Sequence, residues 1–210
     1  MATNLSYNDI RKMLREERMN LPKFEILSYI SKSVSLNGIN PEGQELLLRV
    51  LDRKEDFIEY EDILISLIRK YGLYPYLMNF NLSLSDEVAC EIHRPDGFKN
   101  VVFHSKQNEV YYTLVHKDNV VLSAPTSFGK SLIIDSIITS NLYNNIMIIV
   151  PSVALIDETR KRLIKFKEQY RVISFSGQSL GKRNIFVLTQ ERALDYIDSV
   201  DRVRDRKSVV

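Results

Sequence analysis

The residues best suited to chemistry stand together at Ala124-Pro125-Thr126-Ser127-Phe128-Gly129-Lys130-Ser131. Their spacing is that of the pattern G-x-x-x-x-G-K-[ST], with only the first glycine changed, to Ala124. A loop of this kind turns backbone N–H groups inward around phosphate oxygens. Gly129 permits the backbone path and a close approach. Lys130 brings a positive charge to the β- and γ-phosphates, and Ser131 a hydroxyl for Mg²⁺. A helix opening at Ser131 would add the positive end of its dipole. Gly-Lys-Ser alone recurs by chance in surface loops. Here it follows the β-branched run Val120-Val121-Leu122 and precedes an amphipathic stretch, Ser131 to Asn141, which is the setting the chemistry needs. Thr126, Ser127, Phe128, Gly129, Lys130 and Ser131 are thus expected to bind a nucleoside triphosphate, with Ser131 as the Mg²⁺ ligand.

Other chemically capable residues lack partners in the sequence. His93, His104 and His116 are not at metal-ligand spacing. Cys90 reads as a small semi-buried residue rather than a nucleophile. Asp135 and Asp157 have no evident carboxylate partner. Lys161, Arg162, Lys165 and Lys167 suit a solvated helix face better than a phosphate site.

The elements that must position the loop change character along the chain. From about Ser6 to Phe80 the pattern is helical, with apolar residues recurring at Ile10, Met13 and Leu14. Leu21-Pro22 breaks that segment, and Phe24, Leu27 and Ile30 mark a second helix. Asn40-Pro41-Glu42 is an N-cap, a first-turn proline and an acid, followed by an apolar face at Leu46, Leu47, Val50 and Leu51. A further helix from about Tyr60 turns Ile63, Leu64, Leu67 and Ile68 inward, and Gly72 ends it. Asn79 to Glu87 reads as a polar connector. Beyond residue 100, short apolar runs alternate with helical stretches. The runs are Val120–Leu122, Ile146–Val150, Val172–Phe175 and Ile185–Leu188. In the helix from Val153 to Tyr170, the residues Leu155, Ile156, Leu163, Ile164 and Phe166 are expected to face a sheet. This alternation predicts a parallel sheet of βαβ units covered on both faces.

Bulk properties narrow the class. A net charge of +2 places any phosphate recognition in local groups rather than in the field of the whole protein. One cysteine excludes an internal disulfide and fits a reducing cytoplasm. The polar N-terminus has no signal-peptide core, and no apolar run is long enough for a bilayer, so no membrane partner is expected.

With its Ala-Pro-Thr opening, the loop resembles motif I of superfamily 2 DExD/H-box helicases, the DEAD/DEAH and Ski-type proteins. Ser127 stands where the family has glycine. Phe103 and Gln107 resemble the lead-in whose glutamine reads the adenine edge, so the resemblance implies ATP recognition by Gln107. Ile149-Val150-Pro151-Ser152-Val153-Ala154-Leu155 resembles motif Ia, with Val153 in place of a frequent arginine. Ile185-Phe186-Val187-Leu188-Thr189-Gln190-Glu191-Arg192 resembles motif Ib, with Gln190 in place of proline. These matches imply that Pro151, Ser152, Thr189 and Arg192 contact a DNA or RNA backbone. Ser176-Gly177-Gln178 falls at a turn to which no role is carried. The resemblance covers residues 98–204.

The implied protein is an ATP-dependent helicase or translocase. The implied fold is α/β: a small all-helical domain at 1–95, which could contact a protein partner, then a RecA-like P-loop parallel sheet at 96–204, an incomplete first motor domain. Such layouts occur in helicases of prokaryotic antiviral defence. The Asp-Glu pair of motif II, expected on a strand after the Asp195–Val200 helix, is not among the 210 residues. The chain alone is therefore expected to carry no catalytic residue and to turn over no ATP. Residues 205–210 match the translation of a common sequencing-adapter oligonucleotide, which would put the end of genuine sequence near Arg204. A catalytically inactive nucleotide- or partner-binding module and a P-loop NTPase outside the helicases remain open alternatives.

Overall fold

The structure is a computed structural model that describes residues 5–16, 20–37, 40–116, 118–175, 177–199 and 208–209. It divides into two compact units, Met1–Pro95 with Lys99–Tyr112, and Asp96–Phe98 with Thr113–Val210.

The first unit is built from helices α1 (Tyr7–Arg15), α2 (Lys23–Asn37), α3 (Pro41–Asp52), α4 (Glu61–Lys70), α5 (Leu84–Ile92) and α6 (Ser105–Val115). Local chemistry starts them. Ser6 and Asp9 close a reciprocal capping box at α1. Asn40 accepts from the Glu42 N–H at 2.9 Å, with Pro41 in the first turn of α3. Gly72, at φ +67°, follows α4 as expected. Two expectations fail. The polar stretch Asn79 to Glu87 is not a connector throughout, because Ser83 caps α5 by accepting from the Asp86 N–H. Ile63 points outward at 39% exposure, because the apolar stripe of α4 is carried by Leu64, Leu67 and Ile68.

These helices close on one core that includes Ile10, Ile26, Ile30, Leu46, Leu47, Val50, Phe57, Leu67, Ile68 and Val102. Each fully buried Leu or Ile contributes about 2 kcal/mol against the opposing chain entropy. Gly43 makes one close approach possible. A Cβ there would run into the Tyr71 hydroxyl and Ser33. That hydroxyl donates to the Ile30 carbonyl at 3.1 Å, tying the end of α4 to α2.

The second unit carries α7 (Lys130–Thr139), β1 (Asn145–Ile149), α8 (Val153–Leu163), β2 (Arg171–Ile173), β3 (Asn184–Leu188), α9 (Gln190–Ser199) and β4 (Ser208–Val209). The sheet is parallel, in the order β2-β3-β1-β4. Asn145 to Ile149 lie in register with Asn184 to Leu188. Every residue of β3 is buried, as expected for a strand covered on both faces.

The run Val120-Val121-Leu122 does not form the expected strand. It has no ladder partner among the described residues, and Val121 is fully exposed. A strand exists only through neighbours that take its N–H and C=O groups. The outer edge of β1 is taken by β4 instead. On α8, Ile156 and Leu163 are buried, as is Phe166 in the 3-10 turn Ile164–Phe166 that follows, but Leu155 and Ile164 face outward at 37% and 57% exposure. Phe175, expected to end a strand, lies beyond β2 and is 52% exposed. The expected end of sequence near Arg204, most of 205–210, Ser176 and Val200 lie outside the described residues.

Candidate functional site

The loop that precedes α7 makes a single 3-10 turn, Thr126–Phe128, and then passes through Gly129 at φ +84°, ψ +31°. This left-handed conformation costs other residues about 1–2 kcal/mol, which accounts for glycine at this position. α7 starts at the next residue. Its first-turn N–H groups, those of Lys130 and Ser131 among them, have no intrahelical acceptor by construction. The Lys130 ammonium folds back over the loop, donating to the Ala124 carbonyl at 2.5 Å and the Pro125 carbonyl at 2.9 Å. Its partners there are neutral. Ser131 is exposed on the first turn of α7. A cation on weak acceptors, free N–H groups and an exposed hydroxyl fit a triphosphate with Mg²⁺. Lys130 would hold the β- and γ-phosphates and Ser131 the metal, with the remaining Mg²⁺ ligands coming largely from phosphate and water. Among the described residues no group of three or more His, Cys, Asp and Glu could hold a metal ion.

One network near this loop has no counterpart in the sequence reading. Asp135, on α7, is 5% exposed. Its carboxylate receives Arg162 of α8 on one oxygen and Lys165 at 2.6 Å on the other. Arg162 also donates to the Ser131 carbonyl at 3.3 Å. The cations that looked like one solvated face therefore divide. Arg162 and Lys165 turn to Asp135, while Lys161 and Lys167 border an open groove of about 460 Å³ with Arg160 and Arg171.

The expected nucleic-acid residues meet at the carboxyl ends of the parallel strands. β1 and β3 end level, Ile149 beside Leu188, and the Val150 N–H donates to the Leu188 carbonyl at 2.9 Å. This sets Pro151-Ser152 and Thr189-Gln190 side by side at the starts of α8 and α9. Ser152 is the N-cap of α8, its hydroxyl accepting from the Leu155 N–H at 3.4 Å. Thr189 is 8% exposed, and its hydroxyl donates to Glu191. Glu191's own backbone N–H, then Thr189, hold that carboxyl below its ordinary range. Arg192 reaches across to the Ser174 carbonyl at 3.2 Å, past the end of β2.

Gln107 belongs to the first unit, whereas the loop at 124–131 belongs to the second. It is buried, and its Oε1 accepts from the His104 N–H at 3.0 Å, at the start of α6.

Residues 104–210 match the DEAD/DEAH box helicase family. The chain belongs to that family. Its loop at 124–131 and the two strand ends lie within the matched residues, and helicases of this family generally use ATP and Mg²⁺ and bind nucleic acid. Residues 1–87 match a second family, the Anti-bacteriophage protein B N-terminal domain. Among curated proteins this chain is similar to Anti-bacteriophage protein B of Escherichia coli (strain K12), 38% identical over 199 residues. That alignment takes in 93% of this chain and 27% of the relative, so the chain spans about a quarter of the relative's length. No solved structure matches. Among the described residues, no helix is long and apolar enough to cross a membrane.

Proposed function

We propose that this chain is the ATP-binding part of an ATP-dependent DNA or RNA helicase or translocase. It holds ATP–Mg²⁺ at residues 124–131 and the nucleic-acid backbone at the carboxyl ends of β1 and β3. The reading rests above all on Lys130, an ammonium set at the start of a helix and held, among the described residues, by two carbonyls of its own loop. Thr126, Ser127 and Phe128 shape the turn, Gly129 gives its exit, Lys130 takes the phosphate charge, and Ser131 takes the metal. Pro151, Ser152, Thr189 and Arg192 form the backbone contact, where two helix N-termini offer N–H groups to phosphate. The whole protein acts against bacteriophage. The likeness to the Escherichia coli protein over nearly all of this chain supports that role.

The test is made on the full-length protein. Lys130→Ala should weaken binding of a fluorescent ATP analogue at least about ten-fold and abolish nucleic-acid-stimulated ATP turnover, because a charge-assisted phosphate contact is removed. It should also abolish protection in a phage plaque assay. Unchanged ATP affinity in Lys130→Ala would overturn the nucleotide reading. ATP binding without turnover in the wild type would leave a nucleotide-binding module in place of a motor.

A further inference from the structure

We propose that Phe175 is a stacking platform for a base of single-stranded nucleic acid lying across the carboxyl ends of β2, β3 and β1. This rests on the nucleic-acid reading above and names the form of strand which that surface takes.

The position of Phe175 follows from the register. β2 ends with Ile173 beside Phe186 of β3, so Phe175 comes two residues later, at the level where β3 gives way to Thr189. The backbone of Ser174 and Phe175 is held. Gln178 Oε1 accepts from the Ser174 N–H at 2.7 Å and from the Phe175 N–H at 3.2 Å. Arg192 donates to the Ser174 carbonyl at 3.2 Å, and the Tyr196 hydroxyl to the Phe175 carbonyl at 3.4 Å. Four bonds thus fix the peptide groups around a ring that is still 52% exposed. An apolar cluster of Ile173, Phe186, Leu188 and Ala193 lies next to it in the fold, and Phe175 is not part of it. An aromatic ring kept in water beside such a cluster forgoes roughly 1–2 kcal/mol of burial. A braced backbone and a wet ring together describe a surface prepared for a flat apolar partner.

The surroundings select the partner. Arg192 supplies a cation at the same edge, and the N-termini of α8 and α9 supply N–H groups for phosphate. Glu191, whose carboxylate is held by Thr189, is the acidic group on that helix turn. Phosphate contacts beside an exposed ring are the two ingredients of single-strand recognition, in which every base offers a π-face. In a duplex those faces are already stacked, so the ring would gain nothing.

The experiment uses the full-length protein, a labelled single-stranded oligonucleotide, and copies of it with one abasic site moved along the strand. In the wild type, one abasic position should weaken binding about ten-fold, the size of one base–aromatic stack. Phe175→Ala should bind the intact strand about ten-fold more weakly and lose its sensitivity to the abasic site. Phe175→Trp should keep both properties and Phe175→Leu neither, all four proteins melting at the same temperature. A flat abasic scan in the wild type, or wild-type binding by Phe175→Leu, would assign the ring to packing against another protein surface and overturn the proposal. Absence of any salt-dependent binding of single-stranded DNA or RNA to the wild type would instead remove the nucleic-acid reading itself.

Discussion

Asp135 illustrates how one buried charge can join two helices. Its carboxylate meets Arg162 and Lys165 from α8 and the turn after it, and Arg162 continues to the Ser131 carbonyl. Removing the negative charge leaves two cations converging on a neutral site. Asp135→Asn is expected to destabilise the second unit by about 2 kcal/mol, read as a drop of several degrees in Tm. Because Arg162 also braces Ser131, the same variant should weaken Mg²⁺-dependent nucleotide binding, whereas Asp157→Asn, at an exposed ion pair with Arg160, should change neither. The two features of this region differ in how openly the sequence carries them. Gly129, Lys130 and Ser131 stand out in the sequence as a spacing along eight residues. Asp135 does not, because its partners are 27 and 30 residues away and only the fold brings them near.

At the scale of elements, the N-terminal helices follow their local signals closely. Ser6, Asn40-Pro41 and Gly72 mark boundaries where they are expected. α5 was hidden by composition: Ser83 and Asp86 hold a cap inside a stretch polar enough to pass for a connector. The run at 120–122 fails in the opposite sense, since β-branched residues favour a strand but cannot provide its neighbours. Gly43 gives a test in which propensity and packing oppose each other. Alanine is the better helix former by about 1 kcal/mol, yet Gly43→Ala should lower the Tm of the helical unit, because Tyr71 and Ser33 occupy the space its Cβ needs.

The same unit should respond to acid in two steps. Burial lowers the pKa of His93, which stacks on Tyr74 at 3.6 Å, and of His104 below their ordinary 6.5. The folded state therefore favours the neutral rings. The unfolded chain takes up protons first, so stability falls as pH drops below about 6.5. Glu45 adds the second step. Hydrogen bonds from Tyr7, then Arg49, hold it at about 2 against an ordinary 4.5. That contribution is present above 4.5 and lost as pH falls toward 2. Thermal melts of the helical unit between pH 8 and pH 3 should decline in these two windows, and Glu45→Gln should shrink the lower one, to which Asp9, held below its ordinary value by the Ser6 hydroxyl and N–H, also contributes.

The whole molecule divides into two compact units. Among the described residues, the main cluster of the helical unit draws its buried residues from Ile10 to Val102. A fragment of residues 1–115 should therefore fold by itself and melt cooperatively, as followed by circular dichroism. A gradual, non-cooperative loss of ellipticity would show that its stability is borrowed. In the sequence, helical periodicity gives way to alternating strands near residue 100, a coarse outline. The helix α6, which begins beyond the change, shows why the outline is coarse: up to Tyr112 its residues side with the first unit.

Lys130 resting on the Ala124 and Pro125 carbonyls has a consequence for selectivity. The loop without nucleotide is its own competing ligand, so occupancy begins as an exchange in which an incoming oxygen must draw the ammonium off two carbonyl dipoles. Two carbonyl dipoles hold an ammonium less firmly than an anionic oxygen does, and the crowded charge at the end of a triphosphate chain draws it hardest. On the proposed nucleotide reading, the loop should rank a triphosphate above a diphosphate and a monophosphate, and replacing Lys130 should erase that ranking along with the affinity.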